Sequence, residues 1–270
     1  MIGQQLTRIH IQQRTMDLWH TIRQAIATHS LPDSEQGTDS CFWRVDMHSH
    51  LIPGVDDGVT SPEQAVECLK QLASWGIRKV ITTPHVSYDW YPNDSATLRA
   101  GQATLQALAD ENNLDLTIEV AAEYLIDELF QDRFQRDDLL TFGEARYILF
   151  ELGWAAAPIY LPNLVKQLQS KGYTPILAHP ERYPYYWEDL SVLAHLHENG
   201  CLFQLNWGSL AGLYGGRVQA QARLILKYGW VDFISSDLHR PRDLNVLSNL
   251  FRMPEYDQLR NQTLLNESLC

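Results

Sequence analysis

Trp43-Arg44-Val45-Asp46-Met47-His48-Ser49-His50 decides the fold: a short apolar run that closes on two histidines. The same arrangement recurs along the chain. Lys79–Thr83 leads into Pro84-His85, Leu116–Ala121 into Ala122-Glu123, Tyr147–Phe150 into Glu151, and Pro175–Ala178 into His179-Pro180-Glu181-Arg182. Leu202–Leu205 ends at Asn206, and Val231–Ile234 leads into Ser236-Asp237-Leu238-His239. Neutral imidazoles and carboxylates are the ligands of hydrolytic metal ions, and the ends of parallel strands are where barrel enzymes collect them.

Helical segments separate several of these runs. Ser61-Pro62-Glu63-Gln64 has the cap, the proline and the returning Gln of a helix start, and the segment stops at Gly76. Asp94–Asn113, Pro158–Lys171, Trp187–Asn199 and Val218–Tyr228 read as further helices, the last three ending at Gly172, Gly200 and Gly229. Seven strands with helices between them predict an α/β fold, a distorted (β/α)7 TIM-like barrel; a doubly wound open sheet is the alternative. Residues 1–44 differ. They read as a short helical extension around Leu18–Ile26 followed by the linker Leu31–Ser40, which leaves 45–270 as the main domain.

Composition narrows the function classes. The 270 residues carry a formal charge of −12, which argues against nucleic acid as a partner because phosphate backbones require clustered Lys and Arg. Three bound divalent cations would bring the loaded chain to about −6, so part of the acidity is that of a metal site read without its metal. Cys41, Cys68, Cys201 and Cys270 form neither a CxxC pair nor a secretory framework, which points to a reducing, cytoplasmic setting. No apolar run approaches a membrane span, and nothing specifies an oligomer. None of the four cysteines has an arginine six positions later, so a cysteine-based phosphate loop is excluded.

The candidate ligands are five histidines, His48, His50, His85, His179 and His239, and four carboxylates, Asp57, Glu123, Glu151 and Asp237. His48 and His50 lie two apart, on one face of an extended segment, and Asp237-x-His239 repeats that spacing. Oxygen and nitrogen donors without thiolate favour Mn2+, Fe or Zn2+ in a reactive site over a structural zinc. Nine ligands suit three ions with open positions. Three divalent ions, four carboxylates and a bridging hydroxide sum to about +1, a charge that attracts a phosphate dianion. Asp56 reads as the cap of the turn into Gly58 and Glu181 as a supporting contact. His195 and His197 fall on different faces of one helix, and with His10, His20 and His29 they are left unassigned.

Taken in order, HSHLIPGVDDG, TTPH, AAE, FELG, LAHPERY and SSDLH resemble the PHP (polymerase and histidinol phosphatase) superfamily. More closely, they are similar to the manganese-dependent protein tyrosine phosphatases encoded with bacterial capsule and exopolysaccharide genes. The resemblance covers about residues 45–240. It implies one metal on His48, His50, Glu123 and Asp237, a second on Glu123, Glu151 and His179, and a third on Asp57, His85 and His239. It further implies that Arg182 faces the phosphate, with Asp237 and His239 beside the reacting group; Asn206, which ends the sixth strand, reads as a rim contact to the substrate. Glu151 separates this branch from the histidinol phosphatases, which have His there. A basic cluster follows the third histidine in well-known members; Val86-Ser87-Tyr88-Asp89-Trp90-Tyr91-Pro92-Asn93 is aromatic instead.

The activity implied is hydrolysis of phosphotyrosine by a metal-bridging hydroxide attacking phosphorus, with the tail of a bacterial tyrosine kinase linked to polysaccharide export as the expected protein substrate. A phenolate, with a conjugate-acid pKa of about 10, leaves with little help from an acid. The competing readings are a small-molecule phosphoesterase, such as a histidinol-phosphate phosphatase, and a non-catalytic metal-bound regulatory module. Tyr183, Tyr185, Tyr186 and Trp187 either pack or wall the pocket.

Overall fold

Strands buried on both faces must be apolar nearly throughout, and the central runs of this chain are. A computed structural model describes residues 40–270, and the residues predicted to form the N-terminal helix lie outside them. All seven expected runs are strands: β1 (Val45–Asp46), β2 (Lys79–Thr82), β4 (Thr117–Val120), β6 (Tyr147–Glu151), β7 (Thr174–Ala178), β8 (Leu202–Asn206) and β9 (Phe233–Ser235). Two short strands, β3 (His85–Val86) and β5 (Glu123–Leu125), extend β2 and β4. Every pairing between these strands is parallel.

The ladders form a three-stranded sheet, β1-β2-β4, and a six-stranded sheet, β3-β5-β6-β7-β8-β9. Lys79 pairs with Thr117 and His85 with Glu123 in the same offset, so β2/β3 and β4/β5 are one strand pair interrupted midway. Pro84 lies at the break, where it has no N–H to give a ladder. Its carbonyl still accepts from Glu123 N–H at 3.1 Å, which sets Glu123 level with His85.

The expected α/β architecture with parallel strands is present, and the two sheets do not join into one closed ladder. Between β9 and β1 there is only an isolated parallel bridge, Ser49–Leu238. Side chains take the place of the missing rungs. The Asp46 carboxylate accepts from Ser236 N–H (2.8 Å) and from the Ser235 and Ser236 hydroxyls (2.8 and 2.6 Å), while Met47 N–H donates to Ser235 Oγ (2.7 Å). Beyond this clip, Asp237 N–H donates to His48 O and His50 N–H to Leu238 O, both at 2.9 Å.

Alternation along the strands separates two faces. Val80, Ile148, Phe150, Leu177 and Ile234 belong to the apolar cluster packed by the helices, whereas Ile81, Leu149, Ile176 and Phe233 are fully buried outside it. Glu151 shares its face with Leu149, and Gln204 and Asn206 share theirs with Leu202. Helix α1 (Pro62–Ser74) starts where expected, Ser61 accepting from Gln64 N–H, and buries Ala65, Cys68, Leu69 and Leu72 at helical spacing. Helix α2 (Ser95–Glu111) is capped by Asp94. The sequence reading missed α3 (Glu128–Arg136), whose strongly polar run hides a three-residue buried face, Phe130, Arg133 and Phe134. No helix among the described residues is long and apolar enough to cross a membrane.

Candidate active site

Residues from the ends of six strands meet over a cavity of about 750 Å3, within the range of small-ligand sites. His48 Nε2 lies 3.3 Å from His50 Nε2, from Glu123 Oε2 and from Asp237 Oδ1, and His50 Nε2 lies 3.4 Å from both carboxylate oxygens. The His48, His50 and Glu123 atoms make a near-equilateral triangle, and Asp237 Oδ1 lies beside the same two imidazoles. Three donors at such spacings are within reach of one metal ion.

The surrounding hydrogen bonds turn these atoms into acceptors. Gln204 Oε1 accepts from His48 Nδ1 at 2.8 Å and Asp56 Oδ2 from His50 Nδ1 at 2.7 Å, so both Nε2 lone pairs face the centre. Asp237 Oδ2 accepts from Asn206 Nδ2 (2.6 Å), Arg182 Nη1 (2.9 Å) and the Tyr214 hydroxyl (3.1 Å), leaving Oδ1 for the cage. Among the described residues, Glu123 Oε2 and Asp237 Oδ1 are buried with no hydrogen-bond partner. Orphaned carboxylate oxygens opposed to imidazole lone pairs are costly unless a cation sits between them. This donor set fits a divalent ion.

The other ligands adjoin the cage. His85 Nδ1 is 3.1 Å from Glu123 Oε2 and 3.1 Å from Glu151 Oε1, and its Nε2 is 3.4 Å from Asp57 Oδ1. His239 Nε2 lies 3.6 Å from the same Asp57 oxygen, its Nδ1 donating to Asp237 O. His179 Nε2 is 2.9 Å from Glu123 Oε1. All nine sequence-predicted ligands thus meet. Their groupings are His48–His50–Glu123, His48–His179–Asp237, His85–Glu123–Glu151 and His50–Asp57–His85–His239, so Glu151 stands beside His85 where the resemblance pairs it with His179.

Two of these residues occupy strained backbone. His179 has φ 33° and Asp237 φ 51°, a region that costs non-glycine residues of order 1 kcal/mol or more. Ala178 ends β7 two residues after Ile176, so strict alternation would send His179 to the helix-packed face. The left-handed turn re-aims it.

Charge is concentrated and balanced. Burial disfavours the imidazolium of His85, yet Glu123 and Glu151 raise its pKa to about 9. Burial likewise opposes the Asp237 carboxylate, which His48, His239 and Arg182 nevertheless hold well below the usual carboxylate range. His239 beside Asp57 lowers that carboxyl too. Burial depresses His179, with Arg182 adding to the effect, which favours a neutral imidazole. Burial pushes Glu181 up to about 7; it accepts from Asn206 N–H and the Ser209 hydroxyl, a supporting contact as expected.

Arg182 lines the cavity while bound to Asp237, its guanidinium 4.4 Å from the Tyr214 ring centre and 5.1 Å from that of Trp154. Asn206, expected at the substrate, is fully buried and among the described residues does not line the cavity; its amide holds Asp237. Asp56 does cap Gly58 N–H, but it also orients His50 and accepts from His85 N–H at 3.0 Å. His197 pairs with Asp232 away from the site. The sequence reading assigned no role to Gln204, Tyr214, Trp154 or Asp46. For Gln204 and Asp46, the available signal was a polar residue inside an otherwise apolar run.

The chain matches the family described as capsular polysaccharide synthesis, CpsB/CapC, over residues 44–246. It belongs to that family. Among relatives of this CpsB/CapC member, the tyrosine-protein phosphatase YwqE of Bacillus subtilis (strain 168) is 33% identical over 202 residues, 74% of this chain and 79% of the relative. The tyrosine-protein phosphatase CpsB of Streptococcus pneumoniae is 26% identical over 202 residues, 72% of this chain and 82% of the relative. A solved structure described under crystal structures of YwqE and CpsB, unique metal-dependent tyrosine phosphatases, superposes with a TM-score of 0.69 at 30% identity. It covers 82% of this chain and 96% of that one.

Proposed function

We propose that this CpsB/CapC member is a metal-dependent protein tyrosine phosphatase, with residues 45–270 as its catalytic domain. His48, His50, Asp57, His85, Glu123, Glu151, His179, Asp237 and His239 would hold three divalent ions, Mn2+ favoured and Fe or Zn2+ as alternatives. The observation that carries this reading is the cage in which Glu123 Oε2 and Asp237 Oδ1, both buried and unpartnered among the described residues, face two imidazole lone pairs. The lone Ser49–Leu238 bridge supports reading the two sheets as a distorted seven-stranded barrel.

Bound divalent ions supply Lewis acidity toward phosphoryl oxygens and a water acidic enough to attack near neutral pH. The chain's own residues do the rest. Arg182 offers a planar fork to one edge of the phosphate, held in place by Asp237 and the Tyr214 ring. Tyr214 and Asn206 keep Asp237 Oδ2 occupied, so that carboxylate cannot rotate. The phenolate leaving group asks little of a general acid. A phosphotyrosine in a flexible, tyrosine-rich kinase tail linked to polysaccharide export is the physiological substrate that this reading favours.

Hydrolysis of a phosphotyrosine peptide, a matched phosphoserine peptide and histidinol phosphate by protein supplied with Mn2+ tests the assignment. The phosphotyrosine peptide is expected to have the highest kcat/KM; superior turnover of histidinol phosphate would move the protein to the small-molecule class. Two substitutions separate metal from phosphate. His179→Ala should lower both metal content and activity. Arg182→Ala should spare metal, measured by elemental analysis, and lower kcat/KM by about 100-fold or more, as loss of a transition-state donor does. Unchanged kinetics in Arg182→Ala would remove that residue from the phosphate.

A further inference from the structure

Trp154 follows β6 immediately beyond Glu151-Leu152-Gly153 and lines the cavity while 49% exposed. Three groups pack against it. The Arg182 guanidinium lies 5.1 Å from the indole centre, the Tyr183 ring 5.4 Å away at 39°, and the His179 ring 6.2 Å away and nearly parallel at 12°. The backbone leading to it is pinned as well: Leu152 N–H donates to the Tyr183 hydroxyl, and the Tyr185 hydroxyl donates to Gly153 O, each at 3.0 Å. Tyr183 itself is fully buried. Tyr183 and Tyr185 therefore serve the pocket indirectly, as the frame that holds an indole open to it.

A phenyl ring joined to phosphorus through one oxygen leaves the phosphate within a single ring's length. Whatever aromatic surface lies beside the phosphate-binding guanidinium meets that ring, whereas an alkyl phosphate places no π-face there. An aromatic wall already ordered by its neighbours pays little entropy to make the contact. The cavity repeats the device on its other flank, where Tyr91 lies over His85 at 5.7 Å and 16°. His85 and His179 both bind Glu123, so the two walls stand on either side of that carboxylate.

We propose that Trp154 is a specificity-determining residue that selects aryl over alkyl phosphate esters by packing its exposed indole surface against the phenyl ring of the substrate. The inference rests on the phosphatase reading above. It explains how a rim without the basic cluster after His85 recognises phosphotyrosine: by the ring instead of by charges flanking it.

Calorimetric binding of phenylphosphonate and methylphosphonate to the Mn2+-loaded full chain tests it, with wild type, Trp154→Ala and Trp154→Phe compared. Trp154→Ala should weaken phenylphosphonate about tenfold while leaving methylphosphonate within about twofold, and Trp154→Phe should recover most of the loss. The kcat/KM for a phosphotyrosine peptide should fall in parallel, through KM. Equal weakening of both phosphonates would make Trp154 a mere support for Arg182 and overturn the proposal, as would unchanged phenylphosphonate binding. Trp154-dependent phenylphosphonate binding without cleavage of any phosphotyrosine peptide would overturn the phosphatase reading and, with it, a role in substrate selection, leaving Trp154 as an aryl contact only.

Discussion

Glu123→Gln is expected to strip the site of most of its metal and to lower kcat/KM by at least about 1,000-fold, well beyond the 10- to 100-fold typical of residues that only orient ligands. One carboxylate serves four imidazoles: Oε2 lies 3.3, 3.4 and 3.1 Å from ring nitrogens of His48, His50 and His85, and Oε1 lies 2.9 Å from His179 Nε2. Glutamine preserves the shape but removes the negative charge and replaces one oxygen with an NH2 group that has no lone pair for a cation. In a fully buried site such a change acts at low dielectric, where little solvent compensates. Metal content by elemental analysis and turnover of a phosphotyrosine peptide are the paired measurements. Wild-type metal with activity within tenfold would show that Glu123 is not shared between ions.

Asp46→Ala is expected to lower the melting temperature by roughly 6–16 °C, from a loss of about 3–4 kcal/mol. The fully buried carboxylate accepts from one backbone N–H and two hydroxyls of β9 and the residue after it. Alanine leaves the Ser236 N–H without an acceptor at the seam where ordinary ladder bonds are missing. Because His48 and His50 follow β1 and Asp237 follows β9, loosening that seam also spreads the cage, so metal affinity should fall with stability. Asp46→Asn, which retains one acceptor oxygen, should cost less than half as much. Calorimetric melting of the two variants decides the matter; equal, negligible shifts would mean that the bridge, the Asn266 amide shared by Val45 O and Ile234 O, and core packing hold the seam.

How much of this was legible beforehand depends on what each residue does. The proposed metal ligands are imidazoles and carboxylates, a narrow choice, and they sit where apolar runs end; His48, Glu123, Glu151 and Asp237 are proposed on that basis. Residues that orient ligands need only one polar atom of almost any kind. Gln204, which sets the His48 tautomer from 156 residues away, looks like an ordinary strand residue until the two are seen together. Asp56 lay beside the chosen Asp57 and was read as a turn cap, a role it does have, although its second oxygen orients His50. Trp154 shares its residue type with seven other tryptophans, and among the described ones that line the cavity its contact with Arg182 distinguishes it from Trp90.

The amino-acid order by itself determined the inventory of donors, the parallel strands that carry them and the family, because side-chain chemistry and period-two burial are properties of short segments. Tertiary structure alone decided which carboxylate oxygens stay free, that an indole stays half-exposed over the cavity, and that side chains of Asp46 and Ser235 stand in for backbone rungs between the first and last strands. Those outcomes turn on differences of a few tenths of an ångström between groups far apart along the chain, and no local pattern encodes them.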